Sequence, residues 1–286
     1  MIIVKLQGGL GNQMFQYATG RALAIKHNVP MFLDQSFLER NNVSRNGFTA
    51  RKYGLDIFNI VSSRITAQII DRYFEKNPDS IMINYKELPV SFDKTFRVLP
   101  SSVYISGNWQ SPKYFANISS DIRQEFTFKY FEFDPDFKLI ADEISEKTSV
   151  AIHLRRGDYI PEKGSPQIYF ICDKSYYFKA MSFIRERFPH AAFFVFSDDI
   201  KWSKDHFKFD HFDVNFVYNE KFTDWQEMFL MSKCKHNIMA NSTFSWWAAW
   251  LNDNNNKVII APKNWFNIVP PGFNLNHLYP KEWIRM

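Results

Sequence analysis

Five short apolar runs in the second half of the chain alternate, for the most part, with segments of helical spacing, and this alternation constrains the fold most. Short continuous apolar runs are typical of strands buried on both faces of a sheet. Strands that alternate with helices predict a parallel sheet with right-handed crossovers. The predicted strands are Val150–Leu154, Ala192–Phe196, Val214–Tyr218, Asn237–Ala240 and Val258–Ala261.

The first half of the chain begins with a similar strand–helix–strand unit. Ile2–Leu6 predicts a strand, Asn12–His27 has helical spacing, and Met31–Leu33 predicts a second strand. Val103–Ser106 predicts another strand, and Gly107-Asn-Trp-Gln-Ser-Pro112 after it predicts a loop at a strand end that could form a binding surface. Residues 36–100 show broken patterns that support no detailed prediction.

A chain of 286 residues is long enough for two medium-sized domains. We expect a first domain at residues 1–145 and a second at residues 146–286. Near the boundary, Asp134 and Pro135 have the residue types of a helix N-cap and a first helical position. The same assignment explains the Asp134-Pro-Asp136 spacing, so we reject it as a metal site.

Composition excludes several classes of protein. The 35 basic and 30 acidic side chains give a net charge of +5 with no basic stripe, so no nucleic-acid partner is expected. Cys172 and Cys234 lie in no metal or redox spacing. No apolar stretch approaches the roughly 20 residues of a membrane helix, which predicts a cytoplasmic protein that is at most peripherally attached to a membrane.

Polar groups follow three of the predicted strands at the point where each strand ends. They are His153-Leu-Arg-Arg-Gly-Asp158, Ser197-Asp198-Asp199 and Asn241-Ser-Thr-Phe-Ser245. The carboxyl ends of parallel strands meet at one edge of a sheet, where open α/β sheets bind their ligands. The sequence therefore predicts a nucleotide site at this edge.

Two adjacent arginines at this edge indicate an anion. Arg155 and Arg156 carry permanently charged, forked guanidinium groups that could bind a diphosphate without a metal. The alternative is an ion pair between one arginine and Asp158 that fixes the loop. Similarly, Asp198 could accept hydrogen bonds from a base or ribose, or could only cap its loop.

The segment from Asn241 to Thr243 precedes a predicted apolar helix. One of these small polar residues is expected to cap the helix, while the remaining hydroxyl and N–H groups could bind a phosphate or pyranose oxygen. Three tryptophans of this helix are predicted to be core residues and not a sugar platform: Trp246, Trp247 and Trp250.

A glycine loop near the N-terminus, Gly8-Gly-Leu-Gly-Asn-Gln13, follows a predicted strand and opens a predicted helix. Backbone N–H groups in this position can bind phosphate, although a tight turn explains the glycines equally well. Counted from Gly9, the third position of the dinucleotide fingerprint is Met14, so no nicotinamide cofactor is indicated.

Five motifs occur in a characteristic order and spacing: Gln7-Gly-Gly-Leu-Gly-Asn-Gln-Met-Phe-Gln-Tyr17, the hexad from His153 to Asp158, Phe196-Ser-Asp-Asp199, Met231-Ser-Lys-Cys-Lys-His-Asn-Ile238 and Asn241-Ser-Thr-Phe-Ser-Trp-Trp247. Taken together, these segments resemble glycosyltransferase family 11, the α-1,2-fucosyltransferases of bacteria and animals. The hexad also resembles a motif of α-1,6-fucosyltransferases and, more loosely, of protein O-fucosyltransferases.

The resemblance implies an α/β protein of GT-B type, in which two Rossmann-like domains face a central cleft. The acceptor side is expected in the first domain, at residues 36–110, and GDP-fucose binding in the second. It implies inverting transfer of fucose from GDP-fucose to the 2-hydroxyl of a terminal β-galactose, without a metal or other cofactor. By analogy, Arg155 binds the β-phosphate beside His153, and Asp198 binds the base or ribose. The other residues expected to contact the donor are Gly9, Leu10, Gly11 and Asn12 in the first domain and Arg156, Asn241, Ser242, Thr243 and Phe244 in the second.

The residue that removes the acceptor proton stays open at this point. His153 and Asp158 are candidates by position, the departing phosphate is a third, and Glu162-Lys163 lies in uncertain register with a glutamate of the α-1,6 enzymes. Three other functions are also open: a fucosyltransferase of other linkage, a catalytically silent nucleotide-sugar or glycan-binding module and, more distantly, a nucleic-acid binder. The natural acceptor glycan and the oligomeric state are not predicted.

Overall fold

The computed structural model describes residues 1–45, 48–87, 91–129, 134–160, 167–208, 211–218 and 221–286, and of Asp158 it describes the backbone alone. The chain divides into two compact units. The first comprises Met1–Lys129 and Pro270–Pro280, and the second Tyr130–Val269 and Lys281–Met286.

The first unit is built on a parallel sheet of five strands. Its strands are β1 (Ile2–Lys5), β2 (Met31–Asp34), β3 (Ser63–Arg64), β4 (Ile83–Lys86) and β5 (Val103–Ser106). Its helices are α1 (Leu10–His27), α2 (Ser36–Arg40), α3 (Ala67–Lys76) and α4 (Ser119–Glu125). The strand order is β3-β2-β1-β5-β4, so the order reverses between β1 and β5.

The second unit is built on a parallel sheet of six strands. Its strands are β6 (Thr148–Leu154), β7 (Ala191–Ser197), β8 (Asp213–Phe216), β9 (His236–Ile238), β10 (Ile259–Ala261) and β11 (Ile284–Arg285). Its helices are α5 (Pro135–Glu146), α6 (Lys174–Arg187), α7 (Ile200–His206), α8 (Asp224–Lys233) and α9 (Thr243–Leu251). A short helix, α10 (Leu275–Leu278), belongs to the first unit.

The order of the second sheet is β11-β10-β9-β6-β7-β8. The chain therefore proceeds from β6 to one side through β7 and β8, and then to the other side through β9, β10 and β11. The strand order reverses between β6 and β9, which is the position at which open α/β sheets bind ligands. Two units of this architecture confirm the predicted α/β class with two Rossmann-like domains.

The two units differ from the predicted division after residue 145 in two respects. Helix α5 belongs to the second unit, because Phe137 packs edge-on against Phe222 and also contacts Phe229 at a ring-centroid distance of 5.9 Å. The segment Pro270–Pro280 returns to the first unit, where the His277 carbonyl accepts a hydrogen bond from the Ser111 hydroxyl.

Apolar side chains fill the space between the second sheet and its helices. Strand β7 is buried along its whole length, as expected for a strand covered on both faces. Trp246 and Trp247 are fully buried and Trp250 is 8% exposed, which confirms that these tryptophans of α9 are core residues. Within the described ranges, no helix is long and apolar enough to cross a membrane.

Candidate active site

The loops that follow β6, β7 and β9 lie at the same edge of the second sheet. In the parallel register, Leu154 at the end of β6 is paired with Ser197 at the end of β7. On the other side of β6, Ile152 is paired with Ile238 at the end of β9. The prediction that these three polar groups follow neighbouring strands at one edge is therefore confirmed.

Asp198 joins the loop after β7 to the loop after β6. Its Oδ2 lies 3.0 Å from Nη1 of Arg155, and its Oδ1 accepts a hydrogen bond of 2.9 Å from the backbone N–H of Arg156. A side chain at Gly157 would place its Cβ 2.6 Å from Oδ2 of Asp198, so this approach requires glycine. A carboxylate has about four acceptor positions, which leaves Asp198 able to bind a further donor.

The two adjacent arginines have different neighbours. The guanidinium carbon of Arg155 lies 5.5 Å from the centroid of the Tyr159 ring. That of Arg156 lies 3.4 Å from the centroid of the Trp202 ring, and its Nε is 3.9 Å from Oδ2 of Asp199. Both arginines therefore have an aromatic ring and a carboxylate as neighbours, and the assignment of Arg155 to the ligand stays a prediction from the resemblance.

His153 is buried beneath this edge. It is 4% exposed, and within the described part of the chain its Nδ1 has no hydrogen-bond partner. Burial and then the positive charge of Arg155 lower the pKa of His153 from its ordinary 6.5 to about 3. The imidazole is therefore neutral at neutral pH, and its ring centroid lies 5.7 Å from that of Phe244.

The first turn of α9 has no side-chain cap, which corrects the prediction that one of its polar residues caps the helix. Ser242 occupies the N-cap position, but its hydroxyl accepts no capping hydrogen bond. The Asn241 amide is engaged elsewhere, and the Ser245 hydroxyl accepts from the backbone N–H of Ala240. Uncapped N–H groups at a helix start carry partial positive charge and bind anions.

Asn241 is buried and connects three segments of the unit. Its Nδ2 donates to the carbonyls of Phe170 at 2.7 Å and Trp265 at 2.8 Å. Its own carbonyl accepts a hydrogen bond from the Tyr159 hydroxyl at 2.8 Å. The structure thus gives Asn241 an anchoring position directly before Ser242, and its predicted contact with the donor stays a prediction.

A family model described as Glycosyl transferase family 11 matches residues 1–286, which is the whole chain. The chain belongs to glycosyl transferase family 11. The resemblance carried by the motifs is thereby confirmed.

Three named glycosyltransferases are similar to this chain. An α-1,2-colitosyltransferase of Escherichia coli is 34% identical over 100% of this chain and 99% of its own length. The O-antigen biosynthesis glycosyltransferase WbnK of Escherichia coli is 30% identical over 98% of this chain and 99% of its own length. The galactoside α-(1,2)-fucosyltransferase 1 of Rattus norvegicus is 30% identical over 51% of this chain and 41% of its own length.

In the first unit of this family 11 chain, the predicted glycine loop joins β1 to α1. Gly8 has a φ of +76°, and a Cβ there would lie 2.5 Å from Nδ2 of Asn12, so the loop contains the tight turn that glycine permits. Gly9 is the N-cap residue of α1, Leu10 and Gly11 are buried, and Asn12 is half-buried. Their predicted contact with the donor stays a prediction.

Some candidate residues lie outside what the structure describes. The backbone of Asp158 forms part of a 3-10 turn at Gly157–Tyr159, but its side chain is outside the description, and so are Glu162 and Lys163. Asp134 caps α5 by accepting a hydrogen bond from the N–H of Phe137 at 2.9 Å, which confirms its structural assignment.

Two residues of the site gave no recognisable sequence signal. Tyr159 lies under the Arg155 guanidinium and stacks on Tyr169 with a centroid distance of 4.4 Å. Burial, Asp224 and then Asp198 raise the pKa of Glu227 to about 7. An acidic residue in a helix is ordinarily solvent-exposed, so only the folded position shows that Glu227 is half-buried within electrostatic reach of Asp198.

The depressed pKa of His153 predicts a pH-dependent loss of stability. Between pH 6.5 and about 3 the unfolded chain binds a proton at this histidine that the folded chain excludes, so the free energy of unfolding falls as pH falls. Relative to His153→Gln, which does not titrate, we expect the wild type to lose up to about 1.4 kcal/mol per pH unit between pH 6 and 4.

The measurement is urea unfolding of both proteins across that pH range. Burial raises the pKa of Glu87 and of Glu227 to about 7, and burial with Lys235 lowers that of His236 to about 4. These groups are present in both proteins and cancel in the difference. Parallel stability curves would show that His153 titrates normally in the folded protein.

Proposed function

We propose that this family 11 glycosyltransferase transfers L-fucose from GDP-fucose to the 2-hydroxyl of a terminal β-galactose, with inversion and without a metal. The observation that carries the proposal is the convergence of Arg155, the uncapped start of α9 and neutral His153 at the strand-order reversal of the second sheet. The names of the relatives support an α-1,2 linkage, a galactoside acceptor and an O-antigen glycan.

A diphosphate suits this edge of the sheet electrostatically. Arg155 supplies a permanent positive charge, and the first N–H groups of α9 supply the positive end of a helix dipole. Asp198 retains acceptor positions for N–H or O–H groups of the guanosine. Phe244 and Thr243 are half-buried at the same helix start, where the fucosyl group would adjoin the β-phosphate.

The main catalytic requirement is stabilisation of negative charge on the departing GDP. As the bond between fucose C1 and the β-phosphate oxygen breaks, Arg155 and the α9 N–H groups bind the charge that develops on that oxygen. This is the task that a divalent cation performs in metal-dependent transferases. Within the described residues, no three His, Cys, Asp or Glu side chains are grouped as metal ligands.

The acceptor O2 forms the new bond to C1 and loses its proton. A histidine whose pKa is about 3 is a weak base, so we assign neutral His153 a hydrogen-bonding role beside the phosphate. Asp158, Glu162 and the departing phosphate are the remaining candidate acceptors for the proton. Whichever group accepts the proton, the bond from the acceptor O2 to fucose C1 forms as the bond from C1 to the β-phosphate oxygen breaks. GDP is the leaving group, and the acceptor hydroxyl loses one proton.

A second candidate donor follows from the most similar relative reported above, which is named a colitosyltransferase. A family 11 site could accept colitose in place of fucose without any change in the diphosphate contacts.

The proposal also includes the location of the protein, which is cytoplasmic with at most peripheral attachment to a membrane.

The test is a transfer assay with the full-length protein, EDTA and β-galactoside acceptors, in which GDP-fucose and GDP-colitose are compared. We expect fucose to appear on galactose O2 with inverted configuration at C1, as read by NMR of the product. Preference for GDP-colitose would show that colitose and not fucose is the sugar transferred. A product linked through another hydroxyl would contradict the proposed α-1,2 linkage. GDP binding without transfer or hydrolysis of either donor would indicate a binding module.

Replacement of Arg155 by alanine tests its catalytic role. Loss of one preorganised charge donor is expected to reduce kcat by about 10²-fold or more. Arg187→Ala is the matched control, because Arg187 is exposed at the end of α6, just before β7 begins at the opposite edge of the sheet. Near-normal kcat in Arg155→Ala would remove Arg155 from the mechanism.

A further inference from the structure

The first unit has a strand-order reversal of its own, between β1 and β5. The loop after β1 and the loop after β5 are therefore neighbours at the carboxyl edge of the sheet. The fully buried side chain of Gln16 joins the two loops by hydrogen bonds to their main chains. Its Nε2 donates to the carbonyls of Gln7 and Gly107, both at 3.1 Å, and its Oε1 accepts from the N–H of Gln7 at 3.0 Å.

Four half-buried amide side chains project from these loops and from the first turn of α1. Nε2 of Gln110 donates to Oδ1 of Asn12 at 3.0 Å, and Nε2 of Gln7 makes a longer contact of 3.4 Å with Oδ1 of Asn108. In each pair, the amide nitrogen of one side chain donates to the carbonyl oxygen of the other. The carbonyl oxygen of the first and the amide nitrogen of the second then remain for a ligand. If the oxygen and nitrogen atoms of both amides were interchanged, each pair would still leave one carbonyl oxygen and one amide nitrogen.

The loop after β5 is held in an uncommon conformation by a half-buried carboxylate. Oε2 of Glu87 accepts hydrogen bonds of 2.8 Å from the N–H groups of Asn108 and Trp109. Trp109 is fully buried and has a φ of +56°, a left-handed conformation that is rare for a bulky residue. Such backbone strain persists where the surroundings enforce it, and it clusters at ligand sites.

The chemistry of this amide cluster favours a neutral polyhydroxyl ligand. Its four side chains carry no formal charge, and they offer both donors and acceptors at fixed positions. A sugar hydroxyl donates one hydrogen bond and accepts others, so it complements a carbonyl oxygen and an amide nitrogen together. A phosphate accepts only when fully ionised and would leave the two carbonyl oxygens without donors.

We infer that Gln7, Asn12, Asn108 and Gln110 form a binding site for the hydroxyl groups of a neutral sugar, which gives Asn12 an acceptor contact in place of the donor contact that the resemblance implies. This inference rests on the proposed function in one respect, because the sugar it takes is the acceptor glycan of that reaction. Glu87 and Gln16 are positioning residues, since they hold the loops and do not themselves carry the exposed amides.

The test compares Asn108→Ala, Gln110→Ala and the double variant with the wild type. Each lost hydrogen bond to an uncharged ligand is expected to raise the KM for lactose about threefold to tenfold, and the double variant about tenfold to hundredfold. The KM for GDP-fucose is expected to stay within twofold. Gln68→Ala is the matched control, because Gln68 is an exposed amide on α3 of the same unit.

Binding of lactose and methyl β-D-galactoside to the full-length protein without donor gives an independent measurement by saturation-transfer NMR. Loss of the sugar signals in the double variant, with unchanged circular dichroism, supports the site even if GDP-fucose proves to be the wrong donor. Wild-type signals and KM values in the double variant would overturn the inference. So would a rise in the KM for GDP-fucose alone, or absence of any sugar signal with the wild type.

Discussion

Strand β6 determines where the chemistry of the second unit lies. It is paired in parallel with β7 on one side and with β9 on the other, and it is buried along most of its length. The strand therefore has no solvent-exposed face, and the charged residues Arg155 and Arg156 follow its last residue. Because the strand order reverses beside β6, the loops after β6 and β9 diverge and leave room for a ligand.

Asp198 and Gly157 then set the position of the charges at this edge. The carboxylate is close enough to the loop after β6 only because residue 157 has no side chain. Its contact with Arg155 is partly solvent-accessible, so the ion pair itself is expected to contribute little to stability. In the proposed mechanism its role is to orient Arg155, whose guanidinium would exchange this carboxylate partner for a phosphate oxygen when the donor binds.

The sequence was sufficient to predict five of the six parallel strands of the second sheet, because continuous apolar runs bounded by polar groups are a strong signal. Strands β3 and β11 have two residues each and contain no period that a pattern could reveal. The edge strand β4 was missed because three of its four residues are exposed. Side-chain partners were harder still: the Arg156 contact with Trp202 and the uncapped Ser242 depend on tertiary packing, which residue types do not encode. The pairing within the amide cluster was hidden for the same reason, since the paired residues lie about 100 positions apart in the chain. The sequence did predict that the loop at residues 107–112 could form a binding surface.

The central claim is that the edge of the second sheet beside β6 and β9 binds the diphosphate of a nucleotide sugar. A crystal structure of the full-length protein with GDP tests it most directly. We expect the β-phosphate within hydrogen-bond distance of the Arg155 guanidinium and of the first N–H groups of α9. A diphosphate bound elsewhere, with Arg155 still paired to Asp198 and the start of α9 in contact with water alone, would contradict the account.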